Sequence, residues 1–232
     1  MELIDLISKI KPVKALDIGC GCGEFTQEAA KFCKNLTAID VSDKFIARCK
    51  EERDSKNIEF LCMSAVSLAF KDNTFDLVYE RASLHHIQNW EKALDEIIRV
   101  SSKHIILAEP IDDNRSPEKL NAIHAQELLL ELQREINYPH YKHLKLEQFQ
   151  KYFDKKSIKY KYHINKLYAN YDSEMFFKPF EEIARKSTRY DYWMNKYNNF
   201  KEKLEQQRIA DDDILIIEFQ KNNSVNVKIF TE

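Results

Sequence analysis

The sequence predicts an α/β fold, a mostly parallel sheet with helices on both faces, and three observations carry that reading. Short apolar runs in the first 110 residues alternate with segments of helical periodicity, the pattern of buried parallel strands joined by crossover helices. All three glycines of the 232-residue chain, Gly19, Gly21 and Gly23, fall in one loop between the first such run and the helix after it. Average glycine usage is about 7%, so their placement marks a backbone requirement, either positive φ or close approach of a ligand. Beyond residue 111 the pattern changes to long helical stretches rich in aromatic residues, before an apolar strand returns at 214–219.

Taken in order, residues 2–10 place Leu3, Leu6, Ile7 and Ile10 on one helical face, and Pro12 ends that helix. Residues 13–18 form an apolar strand that runs into the glycine loop. A helix follows at 24–33, with Phe25, Ala29 and Phe32 as its apolar stripe. The second strand, 36–39, ends on Asp40, and Ser42 caps a helix over 43–53 that turns Phe45, Ile46 and Cys49 inward. Strands are expected at 58–63 and 75–79. The helix at 89–100 has Trp90, Ala93, Leu94, Ile97 and Ile98 at i, i+3, i+4, i+7 and i+8. A fifth strand, 104–108, is expected to stop before Pro110.

In the second half, residues 116–153 and 173–208 read as helical. Residues 158–165 alternate Ile158, Tyr160, Tyr162 and Ile164 against Lys159, Lys161 and His163, the mark of a half-buried strand. An apolar strand at 214–219, a turn at 221–224 and an edge strand at 225–230 complete the chain. The expected organisation is a ligand-binding core over 1–111, mostly helical cap insertions over 112–208 that include the strand 158–165, and C-terminal strands over 209–232 that complete the sheet.

Charge and composition narrow the function. Lys and Arg number 36 against 38 Asp and Glu, so no overall field draws nucleic acid or an anionic membrane. The stretch at 155–166 interleaves lysines with aromatics, and its alternation favours an edge strand guarded by lysines over a nucleic-acid surface. No apolar run approaches the roughly 20 residues of a membrane span. The first ten residues, with Glu2 and Asp5, lack the apolar core of a signal peptide. The five cysteines include no C-x-x-C pair, which argues against a disulfide framework or a structural zinc and for a reducing compartment. A soluble, cytoplasmic protein with no membrane partner is expected.

The segment ALDIGCGCGEFT is a strand, a glycine loop and a helix start, and Asp40 ends the next strand 17 residues past Gly23. A carboxylate there can accept hydrogen bonds from both hydroxyls of a ribose. A dinucleotide-binding loop would need a third glycine at position 24, where Glu24 stands and would repel a pyrophosphate. Asp17 is also out of place beside a phosphate. The acids suit a cationic nucleoside, and S-adenosylmethionine carries a sulfonium, an ammonium and a ribose with no phosphate.

These residues, followed by LTAIDVSDKFI and FDLVYERASLHHI, resemble the class I S-adenosylmethionine-dependent methyltransferases, most closely the small-molecule group called type 11, which includes ubiquinone-biosynthesis-like enzymes. The resemblance covers residues 13–110. It implies a Rossmann-like fold with a seven-stranded sheet whose last strand is antiparallel, for which 214–219 is the candidate. It also implies S-adenosylmethionine as cofactor and S-adenosylhomocysteine as product. The main chain of Gly19 and Gly21 would pass against the methionine part, Asp17 would help hold the ammonium, Asp40 would take the ribose, and Val41 would lie beside the adenine. The family usually has an acid after the third strand. Here Ser64 stands in its place, so adenine contacts would rest on Ser64 and the main chain of Ala65 and Val66. Glu80 and Arg81 would lie near the methionine end or the acceptor.

The turn after the fourth strand lies at the reacting end of the cofactor in this family, which makes His85 and His86 candidate catalytic bases, His85 ahead of His86. Glu109, Asp112 and Asp113 read as loop solvation or a helix cap rather than a divalent-metal site, and no metal is expected. The acceptor pocket is expected in the C-terminal insertions, among aromatics such as Tyr138, Tyr141, Tyr168 and Trp193. His140, Lys142, His143, Arg185 and Arg189 lie among them and could pair with an anionic acceptor. The reading is methyl transfer to an oxygen or nitrogen of a small metabolite, anionic ones included. The alternatives are an RNA or protein acceptor, or S-adenosylmethionine binding with non-methyl chemistry.

Overall fold

The computed structural model describes residues 2–53, 55–111, 117–136, 141–166, 170–171, 180–204, 209–210 and 213–221. The expected edge strand at 225–230, together with Asp112, Asp113, Tyr138, His140 and Tyr168, lies outside the described residues.

The first half alternates strand and helix as expected: α1 (Leu3–Ile10), β1 (Lys14–Ile18), α2 (Glu24–Ala29), β2 (Asn35–Asp40), α3 (Asp43–Glu52), β3 (Ile58–Cys62), β4 (Phe75–Arg81), α4 (Trp90–Val100) and β5 (Ser101–Ile111). There follow α5 (Pro117–Glu135), α6 (Leu146–Lys155), β6 (Lys161–Asn165), β7 (Asn170–Tyr171), α7 (Tyr190–Leu204), β8 (Ile209–Ala210) and β9 (Asp213–Gln220). Seven strands make one sheet in the order β3-β2-β1-β4-β5-β9-β6. β1 to β5 are parallel, and β9 runs antiparallel to both β5 and β6. The strand expected at 214–219 is therefore the antiparallel one. The lysine-bearing strand 161–165 takes the sheet edge, as its alternation predicted.

Strand residues alternate between two apolar layers. Val78, Ile105 and Ile217 face α4 and α6, where Leu94, Ile97, Phe149 and Phe153 are buried. Leu77, Ile106 and Ile216 face Ile7 of α1 and Ala29 of α2. Each such side chain contributes about 1.5–3 kcal/mol when fully buried, so the sheet is a rigid platform for the loops at its carboxyl edge. A third cluster joins α5, the helical residues 180–184 and α7 through Leu128, Leu132, Phe180, Ala184 and Trp193, and Trp193 donates its indole N–H to Glu135 at 3.0 Å. Among the described residues, no helix is long and apolar enough to cross a membrane.

Several boundaries differ from expectation: the strand expected from 158 starts at Lys161, and turns at 185–189 interrupt the described helical residues within 173–208. β5 continues through Pro110 to Ile111. Its pairing with β4 ends at Ala108, and Ala108 turns its N–H towards the β4 side. Residue 110 has the same parity, so the N–H that proline lacks would point where no β4 residue pairs. The helix expected at 116–153 is two helices, α5 and α6, and Pro139 stands in the sequence between them. The helix expected at 24–33 tightens into a 3-10 turn at Ala30–Phe32.

Candidate active site

The glycine loop leaves β1 with Gly19, Gly21 and Gly23 at φ of 74°, 52° and 75°. Two amides of the loop, Gly19 and Cys20, donate to the Ile39 carbonyl at 2.8 and 2.9 Å, which fastens the loop to the end of β2. Asp40 then accepts from Gly21 N–H at Oδ2 and from Ser42 N–H at Oδ1, both at 2.9 Å. Those two bonds orient the half-buried carboxylate, and each oxygen keeps a lone pair for a further donor. Val41, the next residue, is 75% exposed, an apolar surface beside a carboxylate.

Ser64, Ala65 and Val66 follow β3 as a half-buried turn next to Asp40, since Met63 donates its N–H to the Asp40 carbonyl. Arg99 secures the far end of this segment. Its guanidinium donates to the carbonyls of Phe70 and Leu68 at 2.8 and 2.9 Å and to Glu96 and Asp72, while Leu68 N–H donates to Glu96. Sequence reasoning saw only a helix face there. Arg99→Met is expected to lower the melting temperature by a few degrees and to speed proteolysis within residues 63–74, because two carbonyls lose their donor. Limited proteolysis with mass spectrometry reads the cut sites, and unchanged cleavage there would reject the clamp.

Asp17 lies under the loop at 3% exposure and accepts from the Thr26 hydroxyl at 2.7 Å. Burial pushes its carboxyl up to about 7, opposed by the Thr26 and Tyr79 hydroxyls. Glu80 is fully buried as well. Its Oε1 accepts from Ala108 N–H and its Oε2 meets Ser83 N–H and Oγ, so it ties β4 to β5 and to the next turn. Desolvation beside Glu109 holds it well above the usual carboxylate range. Arg81 is exposed and stacks its guanidinium on the Phe25 ring of α2, 5.0 Å from the centroid.

After β4, Ser83 and the 3-10 turn Leu84–His86 wrap around Glu109. The Glu109 carboxylate accepts from the amides of Ser83 (2.7 Å), Leu84 (2.9 Å) and His85 (3.2 Å), and its Oε2 lies 2.8 Å from His85 Nδ1. Glu109 is therefore an acceptor inside the sheet, not a solvated loop acid. The available signal was an acid within the apolar run ILAEP. Burial pushes it up to about 7.

His85 is 6% exposed and lines a cavity of about 270 Å³ with Leu84, Ile87, Trp90, Tyr141, His143 and Leu144 among its walls. Burial and the facing His143 push the His85 imidazolium down to about 3, so the ring is neutral. His143, whose ring meets that of His85 edge-on at 5.0 Å, is steadied at Nε2 by Gln126. His86 is exposed, and its ring packs 4.2 Å from that of His85. The other basic candidates are engaged elsewhere: Lys142 with Glu127, Arg185 with Glu181, and Arg189 with Glu135. Among the described residues, no group of three or more His, Cys, Asp and Glu is placed to hold a metal ion.

Asp17, Asp40 and Glu24 surround the loop, and the exposed Val41 adjoins it. This surface fits a nucleoside that carries a diol, a flat base and positive charge, and it opposes a pyrophosphate.

Comparisons with known proteins agree with that chemistry. Residues 16–107 match the type 11 family model described as a methyltransferase domain. The chain is 35% identical over 97 residues to norajmaline N-methyltransferase of Rauvolfia serpentina, covering 40% of this chain and 33% of the relative. It is 34% identical over 94 residues to demethylmenaquinone methyltransferase of Staphylococcus aureus, covering 39% of each. The chain thus spans between a third and two fifths of the length of these curated relatives. The crystal structure of the YcgJ protein from Bacillus subtilis superposes with a TM-score of 0.68 at 18% identity, covering 95% of this chain and 98% of that one, a likeness of fold. Residues 16–107 are a methyltransferase domain of the class I type, the S-adenosylmethionine-dependent family whose spent cofactor is S-adenosylhomocysteine.

Proposed function

We propose that the protein is an S-adenosylmethionine-dependent methyltransferase that acts on an oxygen or nitrogen of a small molecule. One observation carries the reading. The turn at 83–86 is a shared wall: Ser83 presses on Gly19 of the cofactor loop, while Leu84 and His85 line the cavity. A donor on the loop and an acceptor in the cavity would meet across that single turn, which is the proximity an in-line transfer needs.

In this reading Asp40 takes the ribose hydroxyls, and Val41 with Ser64, Ala65 and Val66 walls the adenine. Gly19 and Gly21 let the methionine part approach the main chain, and Asp17 beneath them favours its ammonium. Bound S-adenosylmethionine supplies an activated methyl on sulfur. The chain's own part is to align the acceptor, exclude water and accept a proton at His85, with His86 at the turn's outer side. The 270 Å³ volume and the burial of His85 and His143 support a small acceptor over RNA or protein. Lys142 in the cavity wall is already paired with Glu127, which supports a neutral acceptor.

Calorimetric titration with S-adenosylhomocysteine tests the reading. Wild type is expected to bind near micromolar. Asp40→Ala is expected to weaken binding roughly 100-fold, the worth of two charge-assisted hydrogen bonds. A folded wild type that does not bind would overturn the proposal.

A further inference from the structure

We propose that Glu109 is the positioning residue of this site: it holds His85 as the Nδ1–H tautomer and presents Nε2 to the cavity, so the site serves acceptors that lose a proton on methylation. The proposal rests on the methyltransferase reading above and deepens it.

Four donor positions converge on one carboxylate. Ser83 and Leu84 amides meet Glu109 Oε1, and the His85 amide and ring Nδ1 meet Oε2. A carboxylate offers about four lone-pair sites, so the group is saturated. The three amides can only donate. Whether Nδ1 donates or accepts depends on where the proton of the buried acid pair resides.

Glu80 and Glu109 are both buried, and the Ser83 N–H lies between them, 3.2 Å from Glu80 Oε2 and 2.7 Å from Glu109 Oε1. Two adjacent buried carboxyls share one proton rather than ionise together. The Ser83 hydroxyl indicates which one holds it. Its oxygen lies 3.0 Å from both the Ile18 carbonyl and Glu80 Oε2, and its single proton serves only one of them. Both contacts are satisfied when Glu80 carries the proton, because Glu80 then donates to Oγ while Oγ donates to Ile18. Glu109, with three amides aimed at it, is the better anion. An ionised Glu109 cannot donate, so Nδ1 must, and the lone pair of the ring belongs to Nε2.

The consequence for transfer follows from atom balance. As the acceptor's X–C bond forms and the S–C bond breaks, the X–H bond also breaks and its proton passes to Nε2. The positive charge that leaves the sulfonium reappears on the imidazolium, directly opposite the Glu109 carboxylate. A carboxylate behind an imidazole plays the same part in hydrolase triads, where it sets the tautomer and stabilises the imidazolium.

Ring 15N spectroscopy of the wild type with S-adenosylhomocysteine bound tests the proposal, the His85 signals being assigned by their loss in His85→Gln. A protonated Nδ1 and an unprotonated Nε2 are expected. In Glu109→Gln the amide oxygen still serves Ser83 and Leu84, while the NH2 takes the acceptor from the His85 amide, faces the ring and is expected to invert the tautomer. S-adenosylhomocysteine affinity should stay within about threefold of wild type. Glu80→Gln keeps a donor towards the Ser83 hydroxyl and should leave the tautomer unchanged. An Nε2–H tautomer in wild type, or the same tautomer in folded Glu109→Gln, would overturn the proposal. If Glu109→Gln does not fold, the wild-type spectrum still decides. Failure of folded wild type to bind S-adenosylhomocysteine would instead overturn the methyltransferase reading, whichever tautomer is found.

Discussion

Gly19→Ala is expected to destabilise the fold by about 2–5 kcal/mol and to abolish S-adenosylhomocysteine binding. Two effects add. At φ of 74° an alanine enters the left-handed region, which costs about 1–2 kcal/mol. Its Cβ would also stand 2.5 Å from Ser83 Cβ, far inside van der Waals contact. Ser83 cannot retreat cheaply. Its amide is held by Glu80 and Glu109 and its hydroxyl by Ile18, so the overlap must be relieved by moving the loop or the turn. Overpacking of this kind costs about 1–3 kcal/mol. Gly21→Ala is the control: its φ is 52°, and no described atom lies within 4 Å of the added Cβ. It should cost only the backbone term, about 1–2 kcal/mol. Urea denaturation of the two variants measures the difference. Equal stabilities would show that the loop and turn are not in rigid contact.

The second large effect is on pH. Asp17 and Glu109 are each pushed up to about 7, and Glu80 is held well above the usual carboxylate range by burial. A carboxyl raised in the folded state binds a proton that the unfolded chain has already released. Its contribution is fully present below the unfolded value, near 4, and is lost as pH rises through the folded value. His85 and His104, lowered in the folded state, act oppositely, but only below about pH 6.5, where unfolded histidine is protonated. The carboxyls dominate, and most plainly above that pH. Stability is expected to fall by about 2–4 kcal/mol between pH 5.5 and 8.5. Asp17→Asn removes one of the three groups. That variant should lose at least about 1 kcal/mol less over the same range, and it should be more stable than wild type at pH 8.5. Urea titrations at several pH values decide. A wild-type stability that is flat or rising would overturn the account of the buried acids. The same variant should bind S-adenosylhomocysteine more weakly, since the ammonium loses its counter-charge.

Much of this was legible in the sequence because the determinants are local. The strands β1 to β5 announce themselves by apolar runs, and α4 by its spacing of Trp90, Ala93, Leu94 and Ile97. A glycine triplet in a chain otherwise without glycine marks a backbone requirement, and all three residues do have positive φ. Asp40 was placed by its distance from that loop, and the structure hangs it on Gly21 N–H. The antiparallel β9 followed from the family likeness and lies between β5 and β6.

What the sequence could not determine depends on who stands opposite whom. For Glu80, nothing beside it in the chain reveals that it is buried with Glu109 and takes the Ala108 N–H. Glu109 read as a loop acid because the amides it gathers come from a turn some 24 to 26 residues earlier. Pro110 read as a stop because only the end of β4 pairing shows that its missing N–H is not needed. His143 came to face His85 through the packing of α6 against Trp90, not through any local pattern. Periodicity and residue type are properties of neighbours along the chain, so the sequence by itself determined the strands of the first half and the glycine loop. Burial and proton sharing are properties of neighbours in space, so only the tertiary structure decided that two acids and two histidines form one connected site.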